Sequence, residues 1–379
     1  MFRKLFLAGA VCAFCAGCEV NNPEQFPVEN ASPVYFTLED VARLLASVPL
    51  GAEQMAEVHD AVASSGLNGY DNEYLMRDVF GNPGAGIGDK TTKAAHAYAT
   101  PLRELLRQAA SATKGGGAFP QALIDSLAVS DTQIYWPYPE NWDGISMPVV
   151  TFDPGGDAAT NFGYTLDGEK ILVDEQLAME RPVWVVSNNS DAGFTSLEML
   201  RREDPSWGQG GSIVVTPRAA SGDIKTLVLR SFKTYRQFDS WFGGASEFFV
   251  KLGSVEDFCA STEAELRLYQ PSITDFMIVV RRNQIEQEVP FNAILVSEWT
   301  KDLSNCALMI TEDDGGTRTT WKCTALVRVN SKSYGVEIEL PLNSRDDIVW
   351  RGALSRKYIE KYSGETARFG DIDLVFELI

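Results

Sequence analysis

The chain reads as α+β, with helices first and strands after. Three observations carry this. Between Thr37 and Ser130 apolar residues recur at helical spacing, from Asp131 short apolar runs alternate with turn clusters, and those runs crowd at hairpin spacing toward the end. The expected organisation is a signal segment over 1–17, a flexible tether over 18–36, a small helical bundle over 37–130, an antiparallel β region over 131–243 and a C-terminal β-sandwich over 244–379.

Length and composition set the bounds. With 379 residues, 45% of them hydrophobic, the chain can bury more than one core. A formal charge of −19 argues against nucleic-acid partners and against adhesion to anionic lipid through a basic patch. After the first residues no apolar run is long enough to span a bilayer, which takes about 20 residues.

The first segment has the three parts of an export signal. Arg3 and Lys4 form a basic start, Leu5 to Phe14 an apolar run too short to span, and Ala16-Gly17 a small pair before Cys18. Ala16-Gly17-Cys18 resembles the bacterial lipobox, although Cys15 stands where Leu is usual. That resemblance implies a diacylglyceryl thioether on Cys18, loss of residues 1–17, and attachment to a membrane through the lipid. Residues 19–36 are polar, acidic and broken by Pro23 and Pro27, a composition that does not fold alone. Glu19 and Glu24 are similar to the acidic residues that follow the lipid-bearing Cys in surface-displayed lipoproteins of the Bacteroidetes. This implies the outer membrane or cell surface.

Thr37 with Asp40 predicts a capped helix start, and Leu38, Val41, Leu44, Leu45 and Val48 then share one face until Pro49. A second helix is predicted from Ala52 to Ser64 with Met55, Val58 and Val62 inward, and a third from Asn72 to Phe80. Thr100-Pro101 opens a fourth with Leu102, Leu105 and Leu106 as its stripe, and Pro120 to Leu127 makes a fifth. Buried against one another these faces make a bundle. Gly81 to Thr92 is glycine-rich, but Asp89 stands where a phosphate loop needs Gly and a helix precedes it, so a surface loop is expected. The only two histidines, His59 and His96, lack zinc-helix spacing and no nucleophile elbow accompanies them. No motif implies a cofactor or a metal.

From Thr132 to Gly144 the chain packs Tyr135, Trp136, Tyr138 and Trp142 among two prolines and an Asp-Gly turn. Two readings stay open. Trp136, Tyr138 and Trp142 could stack on sugar rings while Glu140, Asn141 and Asp143 bond the hydroxyls. Alternatively the rings plug the junction between the helical and β regions. The stretch Ile134 to Tyr138 with Glu140 to Gly144, together with Met179 to Val185 and Ile310 to Gly316, resembles phrases of an uncharacterised lipoprotein family of Bacteroidetes gut bacteria. That likeness brings no activity and no catalytic residue.

Strands are predicted at Pro148–Phe152, Phe162–Tyr164, Ile171–Val173, Val183–Val186, Ser212–Val215 and Thr226–Arg230. Gly243-Gly244 marks a hinge. About seven further strands follow, at Glu247–Leu252, Asp275–Val280, Ala293–Val296, Cys306–Thr311, Thr319–Val329, Tyr334–Leu340 and Ile372–Leu378, a sandwich spacing. Asp314-Gly315 reads as a tight hairpin turn that pairs 310 with 319 and sets Cys306 opposite Cys323, as a disulfide or as two buried thiols. Cys259 is left over.

Two functions from different classes fit. The first is a surface-anchored binding or scaffold protein of the envelope, contacting a glycan or another envelope protein. The second is a secreted hydrolase, such as a glycosidase, working through paired carboxylates. Scarce histidine and the lack of a catalytic motif favour the first.

Overall fold

Helix α1 (Leu38–Ser47) begins as its sequence predicts. Thr37 accepts from Asp40 N at 3.2 Å while the Asp40 carboxylate takes Thr37 N at 2.9 Å, so the capping box is closed. Val41, Leu44, Leu45 and Val48 are buried. The computed structural model describes residues 36–81, 94, 96–111, 120–189, 194–203, 224–314 and 316–379. Residues 36–379 form one compact unit. The signal, Cys18 and nearly all of the tether therefore lie outside the described residues, as do the glycine-rich stretch 82–93 and the expected strand at 212–215.

α2 (Ala52–Leu67) buries Met55, Val58 and Val62 as expected. The predicted third helix is instead strand β1 (Glu73–Leu75) followed by the single turn α3 (Met76–Val79). Every residue from Tyr70 to Phe80 is buried, and a one-sided stripe does not describe a segment enclosed on all faces. α4 (Leu102–Ser111) and α5 (Gln121–Leu127) follow. The first backbone N–H of α4, on Leu102, is taken by the Glu57 carboxylate at 2.5 Å.

These helices do not close on themselves as a bundle. Their apolar faces share one core with Ile134, Trp136, Val150, Trp184 and Val186 of the adjoining sheet. That sheet consists of β1, β2 (Thr132–Tyr135), β3 (Val149–Phe152), β4 (Thr160–Tyr164), β5 (Lys170–Asp174) and, after α6 (Glu175–Glu180), β6 (Val183–Asn188). Its order is β1-β2-β6-β3-β4-β5. It is antiparallel except where β3 runs parallel to β6, the pair whose connection carries α6.

After α7 (Leu197–Glu203) the remaining strands build two four-stranded antiparallel sheets and a ribbon. They are β7 (Lys225–Thr234), β8 (Ser246–Ser254), then, after α8 (Glu263–Leu266), β9 (Ser272–Val280), β10 (Val289–Trp299), β11 (Asn305–Glu312), β12 (Arg318–Val329), β13 (Lys332–Asn343), β14 (Asp347–Ser355), and, after α9 (Arg356–Lys361), β15 (Thr366–Phe369) and β16 (Ile372–Leu378). The orders are β10-β7-β16-β15 and β14-β11-β8-β9, with β12-β13 as the ribbon, and all three contribute to one core. β7, which precedes Gly243-Gly244, pairs with β10 and β16, so the expected hinge falls within this assembly.

The hairpin register around Asp314-Gly315 is not formed. β11 pairs with β8 on one edge and β14 on the other, which leaves no edge for β12. Residue 310 faces Trp350 and Val250, and Thr319 faces Leu342. Cys306 and Cys323 are free thiols, as is the exposed Cys259. Cys306 is wholly buried and Cys323 half-buried against the same core.

Candidate functional site

The aromatic loop is spent inside the molecule. Trp136 is 1% exposed and Tyr138 8%, so neither ring offers a face to a sugar. Trp136 meets His59, Trp142 and Trp184 at centroid distances of 5.6, 5.8 and 6.3 Å, and His59 lies 5.2 Å from Trp142. The polar half is occupied as well. Glu140 Oε1 accepts from Asn283 Nδ2 at 2.8 Å, Asn141 Nδ2 donates to Met179 O at 3.1 Å, and Trp142 Nε1 donates to Ser146 O at 3.0 Å. Asp143 takes Ile145 N, Ser146 N and Ser146 Oγ at 2.9, 2.7 and 2.6 Å. Those bonds, the Ser146 hydroxyl first, pull its carboxyl down to about 2. His96, the other histidine, is an exposed partner of Asp60 at 3.0 Å.

The concentration of unusual chemistry lies elsewhere, where the ends of β8 and β11 meet the turn between β7 and β8. Glu247 is the second residue of β8 and Glu312 the last of β11; their neighbourhood is fixed because Glu312 faces Phe248 and Asp313 N donates to Glu247 O at 3.1 Å. Asp239 comes from the turn. Each of Asp239, Glu247 and Glu312 brings a carboxylate oxygen within 4.8 Å of the other two. Glu312 is 1% exposed and Glu247 9%. Glu312 Oε1 and Asp239 Oδ2 are buried without a hydrogen-bond partner.

The turn is held from two sides. Asp71, between α2 and β1, accepts Ala245 N at 2.8 Å. Arg282 Nη2 donates to Asp239 O at 3.2 Å while its Nη1 pairs with Glu175 Oε1 at 2.8 Å, an oxygen that also accepts from Tyr138 OH at 2.7 Å. Tyr138 thus serves as a strut to the site, not as a stacking platform.

Burial, then the hydrogen bond and charge of Asp239, then Asp314 and Asp347, push the Glu312 carboxyl far above the usual carboxylate range. Burial raises Asp239 as well. Two such carboxyl groups in contact are costly to hold charged together without a counter-charge. Asp314, raised by burial and then by Asp347 and Asp313, adds to the negative field. No local pattern could have announced this group: its members lie on a turn and two strand ends, up to 73 residues apart in a chain with 52 acidic residues.

Comparison with family models, with curated proteins and with solved structures finds no match.

Proposed function

We propose that the chain is a lipid-anchored protein of the cell envelope that acts by binding or scaffolding, with another envelope protein as partner. Cys18 carries the lipid, residues 19–36 form the tether, and the sheets of the second half work as a β-sandwich presented away from the membrane. The observation that carries the choice of class is the closure of the one buried carboxylate cluster among the described residues. Glu312 is 1% exposed and only the half-buried Asp239 meets the surface, so a sugar or peptide bond has no room to lie between the two carboxyl groups. Paired-carboxylate hydrolysis needs both groups flanking a bond in an open cleft. Burial of Trp136 and Tyr138 likewise favours a protein partner over a glycan.

The full chain, expressed in a bacterium that lipidates, should partition with membranes, and Cys18→Ser should release it to the soluble fraction. Protease shaving of intact cells should remove the wild-type protein from the surface. A glycan array with a parallel hydrolysis screen should give neither binding nor turnover. Turnover of any glycan would overturn the binding class, and membrane attachment that survives Cys18→Ser would overturn the anchor.

A further inference from the structure

We propose that Asp239, Glu247 and Glu312 form a site for a hard divalent cation, calcium before magnesium. The three carboxylates reach one point from three separate segments, with donor oxygens no more than 4.8 Å apart. Oxygens bound at about 2.3–2.6 Å from a common calcium ion lie within about 5 Å of one another, so the spacing is that of a coordination shell.

The second observation is independent of the convergence of charge. Glu312 is 1% exposed, points into the cluster, and its Oε1 meets no donor; Asp239 Oδ2 is in the same condition. Buried acceptors are almost always satisfied, and one left bare calls for an ion or a water. A cation supplies both missing partners at once.

The donor set decides the class of ion. There is no thiolate and no imidazole among the three, which disfavours zinc and copper. Calcium tolerates irregular shells and bidentate carboxylates, whereas magnesium demands near-octahedral geometry and keeps its waters. Three carboxylates around a divalent ion leave one surplus negative charge; Arg282, which donates to the Asp239 backbone O at 3.2 Å, is already paired with Glu175 and does not cancel it alone.

The ion would tie the β7–β8 turn to the ends of β8 and β11. Because Asp71 and Arg282 hold the same turn to the six-stranded sheet, its effect should reach the junction of the sheets.

The test uses the full chain in detergent, stripped with a chelator, with calcium chloride as the probe and magnesium chloride as the competitor. Thermal unfolding and limited proteolysis of residues 235–245 are read together. Calcium should raise the melting temperature by several degrees and slow cleavage of the turn at least tenfold, with magnesium at the same concentration doing less. Glu312→Gln and Asp239→Asn keep the shape and remove the repulsion, so both should fold without the ion and melt no lower than stripped wild type. Both should lose the calcium response. No response of the wild type to millimolar calcium overturns the proposal. So does a response that survives both substitutions, which would place the ion among the other acidic residues. A response to magnesium equal to that to calcium overturns the assignment of the ion.

Discussion

Gly253 on β8 offers a direct test of how the β12–β13 ribbon sits on the sheet. It faces Ala307 on one side and Ile273 on the other, so its backbone is locked at the centre of four strands. A Cβ added there would stand 2.6 Å from Ile338 Cγ2 and 3.0 Å from Ile338 Cδ1. Carbon atoms rest at about 3.5–4.0 Å, and Ile338, 1% exposed, has no room to withdraw. Overpacking of this kind costs about 1–3 kcal/mol. The loss of unfolded-state freedom returns about 0.4–1 kcal/mol. Gly253→Ala should therefore destabilise by about 1.3 kcal/mol, the difference of the two mid-range values. Ile338→Ala alone should cost about 2–5 kcal/mol through its cavity. In the double variant the new methyl fills part of that cavity, so the total should fall short of the sum by about 0.5–3 kcal/mol. Urea unfolding followed by tryptophan fluorescence gives all four values, provided the slope is unchanged. An additive double variant, or Gly253→Ala as stable as wild type, would refute the packing of Ile338 over β8. It would reopen the in-plane pairing of β12 with β11.

Three further outcomes follow from single environments. Alkylation with peptide mapping should label exposed Cys259 first. Cys323, half-buried with its thiol pushed up by burial to about 11, should react more slowly, and buried Cys306 only on unfolding; a Cys306–Cys323 cross-linked peptide would contradict the free thiols. Thr37→Ala opens the capping box and should cost about 1 kcal/mol in the same urea assay, whereas a loss below a few tenths would show that α1 does not depend on its cap. The Asp143 turn has a carboxyl lowered from 3.8 to about 2, so its contribution is complete above the unfolded value and is lost as pH falls through about 2. Trp142 emission in wild type should diverge from that of Asp143→Asn above pH 4 and converge with it near pH 2; a constant difference would remove Asp143 as the cause.

What the sequence made legible was local. The capping box at Thr37 and the stripe of α1 need no information beyond ten residues, and both stand as read. Most strands were legible too, because alternation and turn clusters are equally local. The errors share one cause. Tyr70 to Phe80 carries helical spacing, yet it is enclosed on every side because β2 needs a neighbour and takes Glu73 to Leu75. Asp314-Gly315 is a sound turn signal, yet β11 is claimed from about sixty residues upstream by β8 and about forty downstream by β14. Long-range partners settle such contests, and local chemistry does not encode them. β14, interrupted by Arg351-Gly352, escaped detection for a related reason: its regularity comes from its partner.

The same logic explains where the cluster lies. β8 and β11 are the two inner strands of their sheet, and nearly every residue on them is buried. Inner strands must end somewhere, and at their ends backbone groups and side chains meet whatever turn closes the layer. Here that turn carries Asp239 and is bound to both halves of the molecule, through Asp71 on one side and Arg282 on the other. A purely structural junction at such a place would use apolar residues, since a buried like-charge pair costs stability and contributes none unless it is compensated. Apolar packing is what the neighbouring joint uses, where Trp241 and Phe242 of the same turn sit with Tyr135, Tyr138 and Val185 in one core. Asp239 departs from that economy two residues before Trp241 and three before Phe242, and meets Glu312 there. A permanent apolar clasp therefore adjoins a carboxylate one whose strength depends on what neutralises it, so the stability of this junction should respond to the divalent cations around the protein.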